Sequence, residues 1–261
     1  MASSMRIDER LVRDGLAESR TLAQRLVMAG SVRIDGQVAA KPSSPVRDAQ
    51  DVSVDAGPPF VSRGGEKLEN ALVDLAAEIA QHGFVVEGAE AIDIGASTGG
   101  FTDCLLQRGA RHVVAVDVGY GQLHQRMRED ARVTVMERTN ARHLTPELLP
   151  YAPDLIVCDA SFISIATVLP ATFACMRAEG WWGVLLCKPQ FEAGRDRMNR
   201  HGRKGVLVDE DVRATVVEET VASIRGLGVE VLQVVQAHPP GPKGNIEYCL
   251  LVRGGGPRSP G

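Results

Sequence analysis

The sequence predicts an α/β fold in which a doubly wound, mostly parallel sheet ends in an antiparallel strand, with a small α+β unit in front of it. From Phe60 onward, near-continuous apolar runs alternate with helical stretches, which is typical of parallel strands covered by helices on both faces. Only a Pro- and Gly-rich segment, Pro239 to Pro242, joins the last two apolar runs. It is too short for a crossover helix, so the final strand is expected to be antiparallel.

Residues 1–56 predict a compact α+β domain. Apolar residues at helical spacing predict a helix from Arg6 to Asp14, and Ser19 is suited to cap a second helix that stops at Gly30. Two short alternating runs then meet at Asp35-Gly36, a dipeptide that favours a tight hairpin. We expect a linker over residues 57–65, the large domain over 66–253 and a disordered Gly- and Pro-rich tail over 254–261.

The large domain begins with a predicted amphipathic helix from Lys67 to Ala80, after which strands and helices alternate. The predicted strands cover residues 90–95, 112–119, 133–138, 154–160, 181–188, 229–237 and 246–252. Trp181 and Trp182 open one of these strands, and we expect them to pack rather than to stack on bases.

Composition restricts the function classes. Residues 1–47 hold eight basic side chains against five acidic ones, and a second basic cluster runs from Arg195 to Lys204, although the net charge of the chain is −4. Phosphate binding depends on local charge, so the acidic total does not exclude nucleic acid. No apolar run approaches membrane-spanning length and the N-terminus is charged, so a cytoplasmic protein is expected. The five cysteines lack metal-binding spacing, and we expect buried thiols and no metal.

A strand followed by a glycine-rich turn opens the sheet at residues 91–101. Its spacing fits neither GxGxxG nor a P-loop. Asp117 ends the next strand, 22 residues after Gly95, where a carboxylate typically accepts hydrogen bonds from ribose hydroxyls. Together with Asp93 before the turn, this pattern favours a nucleoside ligand over a plain strand–helix connection. Asn140, after the third strand, is a candidate for the base side of that ligand.

Four polar residues stand where the apolar pattern does not require them: Lys67, Asp159, Lys188 and Glu247. Ligands of open α/β sheets bind outside the carboxyl ends of the parallel strands, where Asp159 and Lys188 fall. A lysine acts as a base only when partly neutral; a nearby cation lowers its pKa and a nearby carboxylate raises it. The sequence leaves the protonation of this group open, and an ordinary salt-bridged rim is the alternative.

The chain resembles the TlyA-type haemolysin and ribosomal RNA 2′-O-methyltransferase family, within the FtsJ-like ribose methyltransferases. The resemblance lies in the stretches VSRGGEKL, DIGASTGGFTD, AVDVGYGQLH, ERTNAR, SFISIATVLP, KPQFEAG and GPKGNIEY. The N-terminal stretch RIDERLVRDGLAESRTLAQRLVMAGSVRIDG resembles the S-four type RNA-binding domain, or αL motif, that this family carries.

This resemblance implies a Rossmann-like methyltransferase that acts on cytidine riboses of ribosomal RNA in ribosomal subunits. It implies a catalytic tetrad at Lys67, Asp159, Lys188 and Glu247; from the residues themselves we expect Lys188 to act on the hydroxyl and the other three to orient it. The implied cofactor is S-adenosylmethionine, and its expected binding residues are Asp93, Gly95, Ser97, Gly99, Gly100, Phe101, Asp117 and Asn140. RNA contacts are expected at Arg6, Arg10, Arg20 and Arg25. The short tail beyond Arg253 favours, by analogy, action on the large subunit only.

Three other hypotheses for the function stay open at this point. A membrane-lytic haemolysin would need an amphipathic or apolar membrane segment, which the pattern does not offer. An inert RNA-binding module would not need the four polar residues. An NAD-dependent oxidoreductase would share the fold but is expected to carry the GxGxxG spacing.

Overall fold

The computed structural model describes residues 4–55 and 57–256 and divides into two compact units, one ending at Pro59 and the other beginning at Phe60. The elements of the small unit are β1 (Ser4–Arg6), α1 (Ile7–Arg13), α2 (Arg20–Met28), β2 (Val32–Ile34), β3 (Gln37–Val38), β4 (Pro45–Arg47) and β5 (Val52–Val54). Strands β1 and β4 pair antiparallel, and β2 lies between β3 and β5 in a second antiparallel sheet.

Local sequence signals account for most of the small unit. Ser19 caps α2 by accepting a 3.2 Å hydrogen bond from the amide of Leu22. Asp35 and Gly36 both have positive φ, 50° and 79°, and turn β2 into β3 as the dipeptide predicts. Strands β1, β4 and β5 were not predicted, because each has only three residues and, unlike β2 and β3, they are not joined by a hairpin dipeptide.

The large unit contains a seven-stranded sheet flanked by helices. The strands of this sheet, in chain order, are β6 (Glu90–Ile94), β7 (His112–Val116), β8 (Val133–Met136), β9 (Leu155–Cys158), β10 (Trp181–Cys187), β13 (Glu230–Gln236) and β14 (Tyr248–Gly254). Two short strands between β10 and β13, β11 (Gly202–Arg203) and β12 (Val206–Leu207), form a separate hairpin. Its α-helices are α3 (Arg63–Asp74), α4 (Ala76–Gln81), α5 (Gly100–Gln107), α6 (Gln125–Glu129), α7 (Ile165–Val168), α8 (Pro170–Cys175), α9 (Pro189–Glu192), α10 (Gly194–His201) and α11 (Glu210–Gly226). The 3₁₀ turns are Ala141–His143, Pro146–Leu148 and Pro242–Gly244.

The strand order of the large sheet is β13-β14-β10-β9-β6-β7-β8. The pairs from β10 to β8 are parallel, whereas β14 runs antiparallel to both β10 and β13. Helices α3 and α5 cover one face through residues such as Leu68 and Phe101. Helices α7, α8 and α11 cover the other, through residues such as Ile165 and Ile224. The predicted doubly wound sheet with a final antiparallel strand is confirmed.

The first helix of the large unit begins earlier than predicted. Helix α3 starts at Arg63 and ends at Asp74, so residues 63–65 of the expected linker are helical. A Cβ on Gly65 would lie 2.4 Å from the Phe60 side chain and 2.9 Å from the carbonyl oxygen of Gly100. The glycines that argue against a helix in the sequence therefore permit a close approach between the starts of α3 and α5.

The two tryptophans pack inside the fold, as expected. Trp181 stacks on Phe173 and Trp182 on Phe84, each with ring centroids 5.1 Å apart. All five cysteines are buried free thiols. Within the described residues, no helix is long and apolar enough to cross a membrane.

The sequence prediction places the start of the disordered tail, at residue 254, too early in the chain. Gly254 still pairs with Trp181 in the sheet, and the amide of Gly256 donates a 2.9 Å hydrogen bond to the carbonyl of Ala178. Backbone hydrogen bonds thus hold residues that composition alone marks as disordered. Residues 257–261 of that prediction lie outside the described residues.

Candidate active site

The glycine-rich turn after β6 is shaped by backbone conformations that glycine favours. Gly95 has a φ of 81°, and a Cβ there would lie 3.0 Å from the carbonyl oxygen of Asp159. Ser97, also at positive φ (47°), donates its amide to Oδ2 of Asp117 at 2.8 Å. The other Asp117 oxygen accepts from the Gly119 amide at 2.6 Å. Asp117 therefore ties the turn to the end of β7 and retains lone pairs for a ligand.

A cavity of about 450 Å³ opens beside this turn at the carboxyl ends of the strands. Of the predicted cofactor residues, Gly95, Ser97, Asp117 and Asn140 line it. Asp159 and Phe162 line its other side, so the cavity reaches one member of the predicted tetrad. Its size suits a small organic ligand.

The remaining predicted cofactor residues do not line this cavity. Gly99 caps α5 at a φ of 95°, and a Cβ there would press on Leu123 and Met127 at 2.9 Å. A Cβ on Gly100 would lie 2.7 Å from the Gly65 amide nitrogen, and the Phe101 side chain is buried in the core. These three residues pack α5 against its neighbours.

Asp93 is fully buried beneath the turn. Its Oδ2 accepts a 2.6 Å hydrogen bond from the Thr102 hydroxyl, while Oδ1 has no partner among the described residues. Burial raises the pKa of Asp93 to about 7, and the Thr102 hydrogen bond opposes part of that rise. A buried carboxylate with an unsatisfied oxygen is a prospective acceptor for a cationic ligand group.

Lys188 and Asp159 form an ion pair at the ends of the adjacent parallel strands β10 and β9. The Lys188 Nζ lies 2.5 Å from Oδ1 of Asp159 and donates a hydrogen bond to the Ser161 hydroxyl at 2.8 Å. Lys188 is 8% exposed, so a small part of it reaches the rim. Burial raises the pKa of the Asp159 carboxyl, and the Lys188 ammonium opposes that rise.

Lys67 and Glu247 form a second ion pair from α3 and the segment before β14. The Lys67 Nζ lies 2.5 Å from Oε2 of Glu247, whose carboxylate is fully buried. Gln190 donates to the other Glu247 oxygen at 3.1 Å. The charge of Lys67 lowers the pKa of Asp159 and the charge of Glu247 raises it, so the four predicted residues form one interacting cluster.

Sequence reasoning missed three residues of this cluster's surroundings. Ser161 and Gln190 hold members of the tetrad, and the polar side chain of Gln190 inside the run KPQF is a signal that could have identified it. Phe162 is 88% exposed, has a φ of 66° and lies 4.8 Å from Phe191 between ring centroids. A bulky aromatic at positive φ is strained, and such strain is concentrated at functional sites. No pattern in the sequence marks that conformation.

The four arginines predicted to contact RNA have different surroundings in the small unit. Arg6 and Arg20 have side chains that are 40% and 53% exposed, and Arg25 is also exposed. Arg10 is only 9% exposed; it pairs with Asp14 and donates to the Arg47 carbonyl at 3.1 Å. The placement of Arg10 on an RNA-facing surface is therefore wrong, because its guanidinium is used to join α1 to β4.

Comparison with known proteins gives the family. The FtsJ-like methyltransferase family model matches residues 60–253, and the S4 domain model matches residues 5–52. The chain belongs to the FtsJ-like methyltransferase family. It is accordingly a methyltransferase with S-adenosylmethionine as its cofactor and an S4 domain at its N-terminus, and the oxidoreductase alternative is excluded.

Curated relatives match this chain over most of its length. The 16S/23S rRNA (cytidine-2′-O)-methyltransferase TlyA of Mycobacterium tuberculosis is 48% identical over 97% of this chain and 91% of its own. Hemolysin A of Brachyspira hyodysenteriae is 38% identical over 94% of this chain and 98% of its own. The 23S rRNA (cytidine-2′-O)-methyltransferase TlyA of Campylobacter jejuni is 32% identical over 72% of this chain and 69% of its own.

Solved structures agree on the fold. A Streptococcus thermophilus structure described as a hemolysin has a TM-score of 0.69 at 36% identity, covering all of this chain and 91% of its own. Fibrillarin of Aeropyrum pernix, with bound S-adenosyl-L-methionine, shares the fold with a TM-score of 0.52 at 14% identity, covering 85% of this chain and 94% of its own.

Proposed function

We propose that the protein methylates the 2′-hydroxyl of a cytidine ribose in ribosomal RNA, within a ribosomal subunit in the cytoplasm. The observation that carries this proposal is the Lys188–Asp159 ion pair at the edge of the cavity that begins at the glycine-rich turn. In addition, two relatives named as rRNA cytidine-2′-O-methyltransferases match at 48% and 32% identity.

The tetrad fits the chemistry of a ribose hydroxyl. Such a hydroxyl is a poor nucleophile near neutral pH, so the enzyme has to orient it and handle its proton. Lys188 reaches the rim and is oriented by Asp159 and Ser161, so its Nζ is the group that would contact the hydroxyl oxygen and stabilise charge developing on it. Glu247 is fully buried and Lys67 is as buried as Lys188; the charge of Lys67 lowers the pKa of Asp159 and that of Glu247 raises it.

Residues around the cavity fit S-adenosylmethionine. Asp117 would accept hydrogen bonds from ribose hydroxyls, and Asn140 lines the cavity further along. Gly95 lets the turn after β6 pack closely against the end of β9, because a Cβ there would lie 3.0 Å from the carbonyl oxygen of Asp159. The unpaired Oδ1 of Asp93 would favour an ammonium group nearby. When bound, the cofactor supplies an electrophilic methyl group on a sulfonium centre.

We assign separate tasks to the two parts of the chain. Residues 1–56 would bind RNA through Arg6, Arg20 and Arg25, with residues 57–62, ahead of α3, as the connection. Residues 63–253 would carry out methyl transfer. RNA affinity in such domains rests on phosphate contacts, which explains how an acidic protein can bind RNA through a locally basic surface.

Transfer of labelled methyl from S-adenosylmethionine to purified small and large ribosomal subunits tests the proposal. The wild-type chain is expected to label rRNA, and Lys188→Ala is expected to lose at least about 100-fold of the rate. Calorimetric binding of the cofactor to Lys188→Ala serves as the control for folding, since the Lys188 side chain does not line the cavity.

Each outcome has a clear meaning. Label that depends on Lys188 supports the activity and the tetrad together, and the labelled subunit shows whether the enzyme acts on one subunit or both. Absence of label from both subunits, with the cofactor bound, would overturn the ribosomal substrate. Lysis of erythrocytes by the purified protein, unaffected by Lys188→Ala, would support a haemolysin activity instead.

A further inference from the structure

Two arginines of the small unit, one partly exposed and one exposed, converge on one buried carboxylate. Arg6, at the junction of β1 and α1, holds Asp8 with two hydrogen bonds of 2.9 Å from Nε and Nη2. Arg20, the first residue of α2, donates from Nε to the same carboxylate at 3.3 Å, and Gln24 adds a bond of 2.9 Å. Asp8 thus fixes both guanidinium groups relative to each other.

Asp8 is buried and is held by the three side chains that donate to it. Its side chain has no exposed surface, so its charge depends entirely on these donors. The hydrogen bond from Arg6 is the main reason that its pKa lies well below the usual range of a carboxyl. Nη1 of Arg6 and Nη1 of Arg20 make no hydrogen bond within the described residues, so both guanidinium groups keep donors for another partner.

Glu9 occupies the outer side of the same arginines. Its Oε1 lies 3.1 Å from Nη2 of Arg20 and 4.0 Å from Nε of Arg6. Unlike Asp8, Glu9 has a side chain that is 45% exposed, and exposed ion pairs of this type contribute little free energy. An anion that contacts both guanidinium groups can therefore displace Glu9 without disturbing Asp8.

We propose that Arg6 and Arg20 form one binding subsite for an RNA phosphodiester, that Asp8 fixes its geometry, and that Glu9 fills it until the phosphate displaces the glutamate. This inference rests on the proposed RNA-binding role of the N-terminal domain and adds a residue that weakens that binding. Arginine is suited to such a subsite because its planar group donates two parallel hydrogen bonds to phosphate oxygens.

Glu18 provides a matched control for Glu9. It is an exposed glutamate of the same unit and makes no ion pair within the described residues. Replacing either glutamate by glutamine removes the same charge, so any general electrostatic effect on RNA binding is shared. Only Glu9→Gln is expected to free the arginines.

The test measures binding of the full-length chain to a fluorescein-labelled RNA hairpin by anisotropy at several salt concentrations. Glu9→Gln is expected to tighten binding about two- to five-fold at low salt, beyond the effect of Glu18→Gln, and the gain should shrink as salt rises. In an Arg20→Ala background the gain is expected to vanish, because the cycle of variants isolates the contact between the two residues. Asp8→Asn is expected to weaken binding and to reduce the loss caused by Arg20→Ala.

Equal effects of Glu9→Gln and Glu18→Gln, or a gain that persists without Arg20, would overturn the subsite, and this result does not depend on Asp8→Asn folding. If the wild-type chain methylates ribosomal subunits while the two glutamate variants behave alike, the inference fails and the proposed function stands. A wild-type chain that binds no RNA hairpin and labels no subunit would overturn both.

Discussion

Gly241 lies directly against the carboxylate of Glu247: a Cβ on this glycine would be 2.2 Å from Oε1. The glycine belongs to the Pro- and Gly-rich segment that turns β13 into β14, and its amide donates to the Asn245 carbonyl at 2.8 Å. The φ of Gly241 is −66°, which any residue can adopt. Glycine is therefore needed here because the Glu247 carboxylate occupies the space that a side chain would fill. The turn and the tetrad are thus coupled by one close contact.

Gly241→Ala is expected to lower kcat/KM for methyl transfer by at least about ten-fold, because a displaced Glu247 no longer holds Lys67 in place. Gly226→Ala is the matched control, since a Cβ on Gly226 meets nothing within 4 Å. Initial rates on ribosomal subunits measure the effect. Equal rates for the two alanine variants would mean that the contact with Gly241 is unimportant.

Asp93 makes the stability of the protein depend on pH in an unusual direction. Its pKa is raised to about 7, from the ordinary carboxyl value of 3.8 that the unfolded chain is expected to show. Between those values the folded protein holds more protons than the unfolded chain at this site, so this site lowers the free energy of unfolding as pH rises from about 4 to about 7.

Asp93→Asn removes this titration and keeps an acceptor for the Thr102 hydroxyl. Relative to the wild type, the variant is expected to gain on the order of 5 °C in Tm between about pH 4.5 and about pH 7.5, measured by thermal melts without cofactor. Melting curves whose pH dependence runs parallel in the two proteins would contradict the burial of a titrating carboxyl at this position.

Phe162 combines exposure with a strained backbone at the edge of the cavity. Phe162→Gly is expected to leave Tm within about 2 °C of the wild type, because the lost side chain buries little surface and glycine relieves the positive φ. Methyl transfer is expected to fall about ten-fold, since an exposed aromatic ring beside Asp159 offers a face for the target base. Phe162→Tyr, which keeps the ring, should retain the activity. A glycine variant as active as the tyrosine variant would rule out this role.

Arg20 and Arg10 are expected to respond differently to alanine. Arg20→Ala should weaken binding to ribosomal subunits and lower the salt dependence of affinity by about one unit of the log–log slope. Arg10→Ala should instead lower Tm, because it leaves the Arg47 carbonyl without this donor and leaves Asp14 with Arg13 as its remaining ion-pair partner. Affinity measurements at several salt concentrations and thermal melts separate the two effects. A change in the salt slope without a change in Tm for Arg10→Ala would contradict the structural role of this arginine.

Much of the fold follows from local pattern. The apolar runs that become β6, β7, β9 and β10 are long and nearly continuous because helices cover both of their faces, so these strands and their parallel arrangement could be predicted, whereas their order in the sheet was not. Asp159 and Lys188 could be singled out for the same reason, as polar groups at the ends of such runs. The residues 63–65 were missed, since a glycine pair argues against a helix unless the close approach to α5 is known.

Other parts of the site depend on contacts between distant segments. Which lysine pairs with which carboxylate is decided where α3 and the segment before β14 approach the sheet, and nothing local records it. The burial of Arg10 depends on the Arg47 carbonyl, 37 residues away. The strained φ of Phe162 likewise leaves no trace in hydrophobic periodicity.

Nucleoside analysis of the methylated RNA tests the central claim most directly. Ribosomal subunits labelled by the wild-type chain with S-adenosylmethionine are digested to nucleosides, which are then separated and identified by mass. We expect the label to be recovered as 2′-O-methylcytidine and to be lost in Lys188→Ala. Label recovered on a base, or on the ribose of another nucleoside, would contradict it.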